Sequence, residues 1–98
     1  MSVECIKHQD GEVVCKFSDR IDINECQEVE KDVMSSIECA RNIIFDLDGV
    51  EYIDSSFLRL CGKAYYKANA GNFSIINVTP DVKKIFKIAG LAEKLNLN

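Results

Sequence analysis

Residues 42–58 read NIIFDLDGVEYIDSSFL, and the order of the parts in this stretch decides the fold. Asn42-Ile-Ile-Phe-Asp-Leu47 is a near-continuous apolar run, the pattern of a central strand covered on both faces in a parallel or mixed sheet. Gly49 interrupts it, and Val50-Glu-Tyr-Ile53 then leads directly into Asp54-Ser55-Ser56. Beyond that point Leu58, Cys61, Ala64, Tyr65 and Ala68 recur at helical spacing until Asn69-Ala70-Gly71 stops them. Asp-Ser-Ser is therefore expected at a helix N-terminus.

Working outward, Val3 to Lys7 and Glu12 to Phe17 are short β-prone segments separated by His8-Gln9-Asp10-Gly11, whose Asp-Gly pair tolerates positive φ and predicts a hairpin. Between Asn24 and Ala40, the residues Cys26, Val29, Val33, Ile37 and Ala40 step by three or four. This predicts an amphipathic helix capped by Asp22 or Asn24. On the other side, Phe73-Ser-Ile-Ile-Asn-Val78 reads as a strand, and Thr79-Pro80-Asp81 opens a helix with a capping hydroxyl, a first-turn proline and an acid for the dipole. Gly90 ends that helix, and Leu91, Leu95 and Leu97 predict a short terminal helix packing back. Alternating strands and helices after residue 24 predict crossover units around one sheet. The fold class is α/β, a single domain over residues 1–98.

Composition narrows the function. A chain of 98 residues buries only about 60 to 65% of its unfolded surface, which favours a broad, shallow functional surface over an enclosed pocket. The net charge of −4 opposes nucleic acid and anionic membranes, which call for a positive field. No window approaches a membrane span and the N-terminus lacks an apolar signal region, so a cytoplasmic location is expected. Five cysteines, at positions 5, 15, 26, 39 and 61, are odd in number and include no CxxC, so they read as reduced core thiols rather than a metal site.

Two catalytic readings arise and are weak. Ile43-Ile-Phe-Asp46-Leu-Asp48-Gly49-Val50 reproduces the hhhDxDG[TV] string of haloacid-dehalogenase-like phosphatases, but that family's later motifs need far more chain than remains here. The plainer reading makes Asp46 and Asp48 hydrogen-bond acceptors in a loop. Nucleophilic catalysis by Ser55 would need a base, and the only histidine, His8, falls in the hairpin turn. A third reading starts from a surplus. One of Asp54, Ser55 and Ser56 suffices to cap the helix, which leaves at least one hydroxyl without that task. A phosphoryl group on such a serine adds roughly −1.5 to −2 charges, tolerated by the helix dipole but enlarging a negative surface that includes Asp46, Asp48, Glu51 and Asp54.

Phe45 through Leu58 resembles the signature of STAS domains, specifically the stand-alone anti-sigma factor antagonists: hydrophobic strand, Asp-Leu, short loop, aromatic or apolar residues, then Asp-Ser-Ser-Gly-Leu. Upstream, Phe17-Ser-Asp-Arg-Ile-Asp22 stands where that family has an apolar residue, Gly and a Leu-Asp pair. Downstream, residues 79–91 are similar to its Ser/Thr-Pro, apolar, Phe, Gly-Leu segment. The resemblance covers nearly the whole chain. It implies a mixed sheet of about four strands flanked by about four helices, and a non-enzymatic protein without cofactor. It also implies partner switching. The unmodified protein binds an ATP-using serine kinase that doubles as an anti-sigma factor, phosphorylation ends the binding, and a serine phosphatase restores it.

Residue by residue, the resemblance makes Ser55 the phosphorylated serine, has Asp54 orient the loop, and gives Ser56 a capping or partner-contact role. Asp22 falls on the same rim, and Arg59, with Lys63 and Lys67, forms a stripe able to face the partner. Phe57 departs from the family, standing at its Gly position, and Ser18-Asp19 replaces a Gly before the first helix. The Phe57 ring is open to two readings, an exposed partner anchor or a hydrophobic staple onto the core. A STAS subunit that regulates a transporter or lipid-handling complex is the alternative function, with a small DxDG phosphatase behind it. The association state is left open, a monomer being compatible with all of this.

Overall fold

The Asp10-Gly11 turn forms the expected hairpin. In the computed structural model, which describes residues 3–21, 23–68, 72–95 and 97, β1 (Val3–Lys7) and β2 (Glu12–Phe17) pair antiparallel. His8 N–H donates to Glu12 O at 2.8 Å, Gly11 N–H donates to His8 O at 3.2 Å, and Asp10 Oδ1 accepts from Glu12 N–H at 3.0 Å. Gly11 has φ +92°, and a Cβ there would meet Arg41 Cγ at 2.8 Å. Both the backbone conformation and the close approach of Arg41 require glycine at that position.

The chain continues through β3 (Asp19–Ile21), α1 (Ile23–Ser36), β4 (Asn42–Asp46), β5 (Val50–Ile53), α2 (Ser55–Lys67), β6 (Phe73–Ile76) and α3 (Pro80–Ile88). The main sheet has the order β1-β2-β4-β6, antiparallel at β1/β2 and parallel at β2/β4 and β4/β6. Each parallel step crosses over through a helix, α1 for the first and α2 for the second. The α/β class and the mixed four-stranded sheet agree with the sequence reading. Two short strands, β3 and β5, add a separate parallel pair; the sequence suggested β5 but gave no sign of β3.

Strand alternation places Val13, Cys15, Phe17, Ile43, Phe45, Phe73 and Ile75 in the core, because successive strand residues point to opposite faces. They meet Val29 and Val33 of α1, Ile37 in the turn after it, Leu60, Cys61 and Ala64 of α2, and Val82 and Phe86 of α3. The expectation that β4 is covered on both faces needs correction. β4 is central, but Ile43 and Phe45 are fully buried while Ile44 is only half-buried. One sheet face therefore carries the core, and the other keeps partial contact with solvent.

Three further expectations change. The first helix ends at Ser36 rather than Ala40, because residues 37–39 form a turn. The expected terminal helix is absent among the described residues, so three helices stand where about four were expected. Gly90, at φ +74°, reverses the chain after α3, Leu91 N–H returns to Phe86 O at 2.9 Å, and residues 92–95 form turns. Leu95 is buried and Leu97 bridges Ile75 at the edge of β6, so the terminal leucines pack singly rather than along a helix face. The thiols divide: Cys15, Cys26 and Cys61 lie in the core, Cys5 is half-buried, and Cys39 is exposed, contrary to its reading as a core residue. Among the described residues, no helix is long and apolar enough to cross a membrane. Asp22 and Asn69-Ala70-Gly71, expected to cap one helix and stop another, lie outside the described residues.

Candidate functional site

Two loops at the ends of β4 and β6 build the platform for Asp54-Ser55-Ser56. Asp46, the last residue of β4, accepts hydrogen bonds at Oδ1 from Asp48 N–H at 3.0 Å and from Asn77 Nδ2 at 3.0 Å. One carboxylate thus closes its own loop and ties it to the turn after β6. Val50 N–H donates to Leu47 O at 3.0 Å, and Gly49 takes φ +84° to let the chain turn back. β5 then runs to the helix with Val50 and Ile53 buried and Glu51 exposed. Asp46 is therefore the loop acceptor that the plainer reading of the DxDG string describes. Asp48 contributes its backbone N–H to that loop.

At the start of α2 the cap is Asp54. Its backbone is extended (φ −125°, ψ −174°), and its Oδ1 accepts from Ser56 N–H at 2.9 Å and Phe57 N–H at 3.4 Å. Its carbonyl accepts from Phe57 N–H at 3.1 Å and Leu58 N–H at 3.2 Å. A side-chain oxygen before the first helical residue satisfies the otherwise orphaned first-turn donors. Ser56, given a capping role as one alternative, does not cap, because Asp54 already takes the donors. Ser55 is the first helical residue and is exposed, while Ser56 is half-buried.

Phe57 is fully buried, which overturns its reading as an exposed partner anchor and leaves the staple onto the core. Its ring lies 5.1 Å from that of Phe17, in an edge-on arrangement, and 6.1 Å from that of Phe45. Such pairs favour edge-to-face contact because the ring edge is positive and the face negative. The ring that replaces the glycine of the resembled signature thus points inward, beneath Ser55 and away from the surface.

Beside this helix start runs a shallow cleft of about 230 Å³ between α1 and α2, lined by Cys26, Gln27, Glu30, Ser56, Arg59 and Lys63. Lys63 Nζ and Glu30 Oε2 form an ion pair across it at 2.9 Å. Burial pushes the Cys26 thiol up to about 11, with help from the negative charges of Glu30 and Asp54, so the thiol is neutral at physiological pH. Arg59 is exposed on the same flank. The structure thus brings Asp54, Ser55, Ser56 and Arg59 onto one rim, with Phe57 below it. His8 is exposed in the hairpin turn, as expected. The α1 residues of the cleft escaped the sequence reading; the signal available was polar Gln27 and Glu30 flanking buried Cys26, but only tertiary packing shows which helix that edge meets.

The STAS domain family model matches residues 5–98. No curated protein matches the chain by sequence. Among solved structures, the fold is similar to the anti-sigma factor antagonist SpoIIAA in its unphosphorylated form, with TM-score 0.80 and 19% identity over 99% of this chain and 88% of that one. It is also similar to an anti-sigma factor antagonist from Mycobacterium paratuberculosis, with TM-score 0.83 and 21% identity over 98% of this chain and 83% of that one. A third likeness is to the Bacillus cell fate determinant SpoIIAA in its phosphorylated form, with TM-score 0.72 and 18% identity over 99% and 91% of the two chains. At these identities the structures speak for the fold, and the family match over nearly the full length speaks for descent. The chain belongs to the STAS domain family, with the fold of the SpoIIAA-type anti-sigma factor antagonists.

Proposed function

We propose that this chain is an anti-sigma factor antagonist whose unmodified form binds an ATP-using serine kinase that doubles as an anti-sigma factor, and that phosphorylation of Ser55 ends the binding. The observation that carries the reading is the division of labour at the helix start. Asp54 does the capping, so the exposed Ser55 hydroxyl is spared for an outside enzyme. The solved unphosphorylated and phosphorylated forms of SpoIIAA add support by likeness of fold.

The chemistry of the switch follows from charge. Transfer of the γ-phosphoryl group from ATP to Ser55 Oγ breaks the bond to the β-phosphate and sends the serine proton to a base on the kinase. The product carries roughly −1.5 to −2 charges on a rim already holding Asp54, with exposed Asp48 and Glu51 on the segment leading into it. First-turn N–H groups and the helix dipole keep the modified helix folded, while an acidic or closely fitted partner is repelled. Ser56 and Arg59 contact the partner along the cleft, Asp54 holds the loop in place, and Asp22 is a further partner contact. Phe57, fully buried, supports this surface from beneath and does not touch the partner. Nucleotide and magnesium come with the kinase; the chain itself works in the cytoplasm without catalysis or cofactor, and a serine phosphatase resets it.

The test is phosphate incorporation, read by mass, on the full chain incubated with the serine kinase of its own cells, ATP and magnesium. One phosphate is expected on the wild type and on Ser56→Ala, and none on Ser55→Ala. The phosphorylated chain is expected to lose co-elution with the kinase. Labelling that persists in Ser55→Ala, or binding unchanged by the phosphate, overturns the reading.

A further inference from the structure

Away from Ser55, the hairpin brings two thiols face to face. Cys5 of β1 lies directly opposite Cys15 of β2, with the two sulfurs 3.4 Å apart. The His8 N–H to Glu12 O bond marks the hydrogen-bonded pair next to the turn. Alternation along an antiparallel ladder then makes Cys5 and Cys15 a non-hydrogen-bonded pair, in which Cα atoms are about 4.5 Å apart and side chains are closest. That separation falls within the range a disulfide spans. Both cysteines are free.

We propose that the Cys5–Cys15 pair is a thiol oxidation site for a hydroperoxide, with Cys5 the attacking sulfur and Cys15 the sulfur that closes a cross-strand disulfide. The two differ in access. Cys15 is buried, whereas Cys5 is half-buried on β1, which is an edge strand of the sheet. The thiol hydrogen bond with Cys15 holds Cys5 down at about 6 against burial, with the Ser36 side chain and Lys7 also favouring its thiolate. The thiolate is the reactive form. The remaining cysteines lack this arrangement: burial pushes Cys26 and Cys61 upward, and Cys39 lies in a turn with no thiol in register across from it.

The chemistry balances with the peroxide as oxidant. The Cys5 thiolate attacks one peroxide oxygen, the O–O bond breaks, and the departing oxygen takes up a proton, leaving as water when the oxidant is hydrogen peroxide. Cys5 is then a sulfenic acid. The Cys15 sulfur attacks the Cys5 sulfur, the S–O bond breaks, and the hydroxyl leaves as water with the Cys15 proton. Together the two sulfurs give up the electron pair that the peroxide gains. The product clamps the edge strand to its neighbour at a point where β1 has a partner on one side only.

The sequence supplies a clean assay, because trypsin cuts after Lys7 and Lys16 and so places Cys5 in peptide 1–7 and Cys15 in peptide 8–16. After one equivalent of hydrogen peroxide, a digest without reductant is expected to contain these peptides joined, lighter than their sum by two hydrogen atoms and separated by dithiothreitol. Cys5→Ser is expected to abolish the joined species and leave Cys15 unmodified. In Cys15→Ala, dimedone is expected to trap Cys5 as a sulfenic acid; should that buried variant not fold, the wild-type map and Cys5→Ser decide alone. Oxidation confined to Cys39, or Cys5 running on to a sulfinic acid with no joined peptide, overturns the proposal.

Discussion

Helices α2 and α3 begin in the same way, with a side-chain cap and a buried third position, and differ in what the two positions between them do. At α2 the cap, first, second and third helical residues are Asp54, Ser55, Ser56 and Phe57; at α3 they are Thr79, Pro80, Asp81 and Val82. Both caps lend a side-chain oxygen to the backbone, Asp54 to Ser56 and Phe57 and Thr79 to Val82 at 3.3 Å. Both third positions bury an apolar side chain completely. In between, α3 carries residues that serve the helix itself, a proline with φ preset and an acid suited to the dipole. α2 carries two hydroxyls that serve neither purpose. The α3 start thus acts as an internal reference for what folding requires, and the excess at α2 is Ser55 with Ser56.

The most damaging change to this symmetry is expected at the buried third position. Phe57→Ala empties the space beside Phe17 and Phe45 and is expected to cost about 3–5 kcal/mol, as for other large aromatic truncations, measured by urea unfolding. A loss below about 1 kcal/mol, the scale of a cap, would mean that the ring does not anchor α2 and that its burial is dispensable to the surface above it.

Removing the caps comes next in size. Asp54→Ala and Thr79→Ala are each expected to cost about 1 kcal/mol, and near-equality is the informative part. If Asp54→Ala proves silent, a serine takes over the cap when the carboxylate is gone, and the hydroxyls of α2 are not surplus after all. A combined Asp54→Ala, Ser55→Ala variant distinguishes the two cases: it matches Asp54→Ala alone if Ser55 has no capping role.

How much of this was legible in the sequence depends on whether the deciding interaction is local. Asp10-Gly11 announced its turn because the conformational demand falls on those residues, and Thr79-Pro80-Asp81 announced its helix because three adjacent preferences agree. At residues 54–56 three neighbouring side chains can each cap, so only the backbone conformation identifies Asp54. Whether Phe57 faces in or out depended on Phe17 and Phe45, distant in the chain. The Asp46–Asn77 bond joins loops 31 residues apart, β3 is three residues long and, among the described residues, pairs with β5 alone, and both lack a local pattern to read. At the C-terminus, leucine spacing suggested a helix where Gly90 had already turned the chain and β6 offered Leu97 an edge.

The smallest expected effect is also the one most tightly bound to the comparison. Ser55→Ala removes a side chain that is exposed and makes no cap, so its stability is expected within about 0.5 kcal/mol of the wild type, as for other surface positions without a structural task. Ser55→Asp puts a negative charge at the first helical position, where the dipole contributes about 0.3–1 kcal/mol in its favour. The adjacent Asp54 carboxylate opposes that gain, so the net change is expected to stay under about 1 kcal/mol by the same measure. Equality of these two variants in urea unfolding, together with loss of kinase binding in Ser55→Asp, would separate recognition from folding at a single residue. A large destabilisation in either would place the hydroxyl back among the groups that hold the helix start together, and α2 would no longer differ from α3 in the way that sets Ser55 apart.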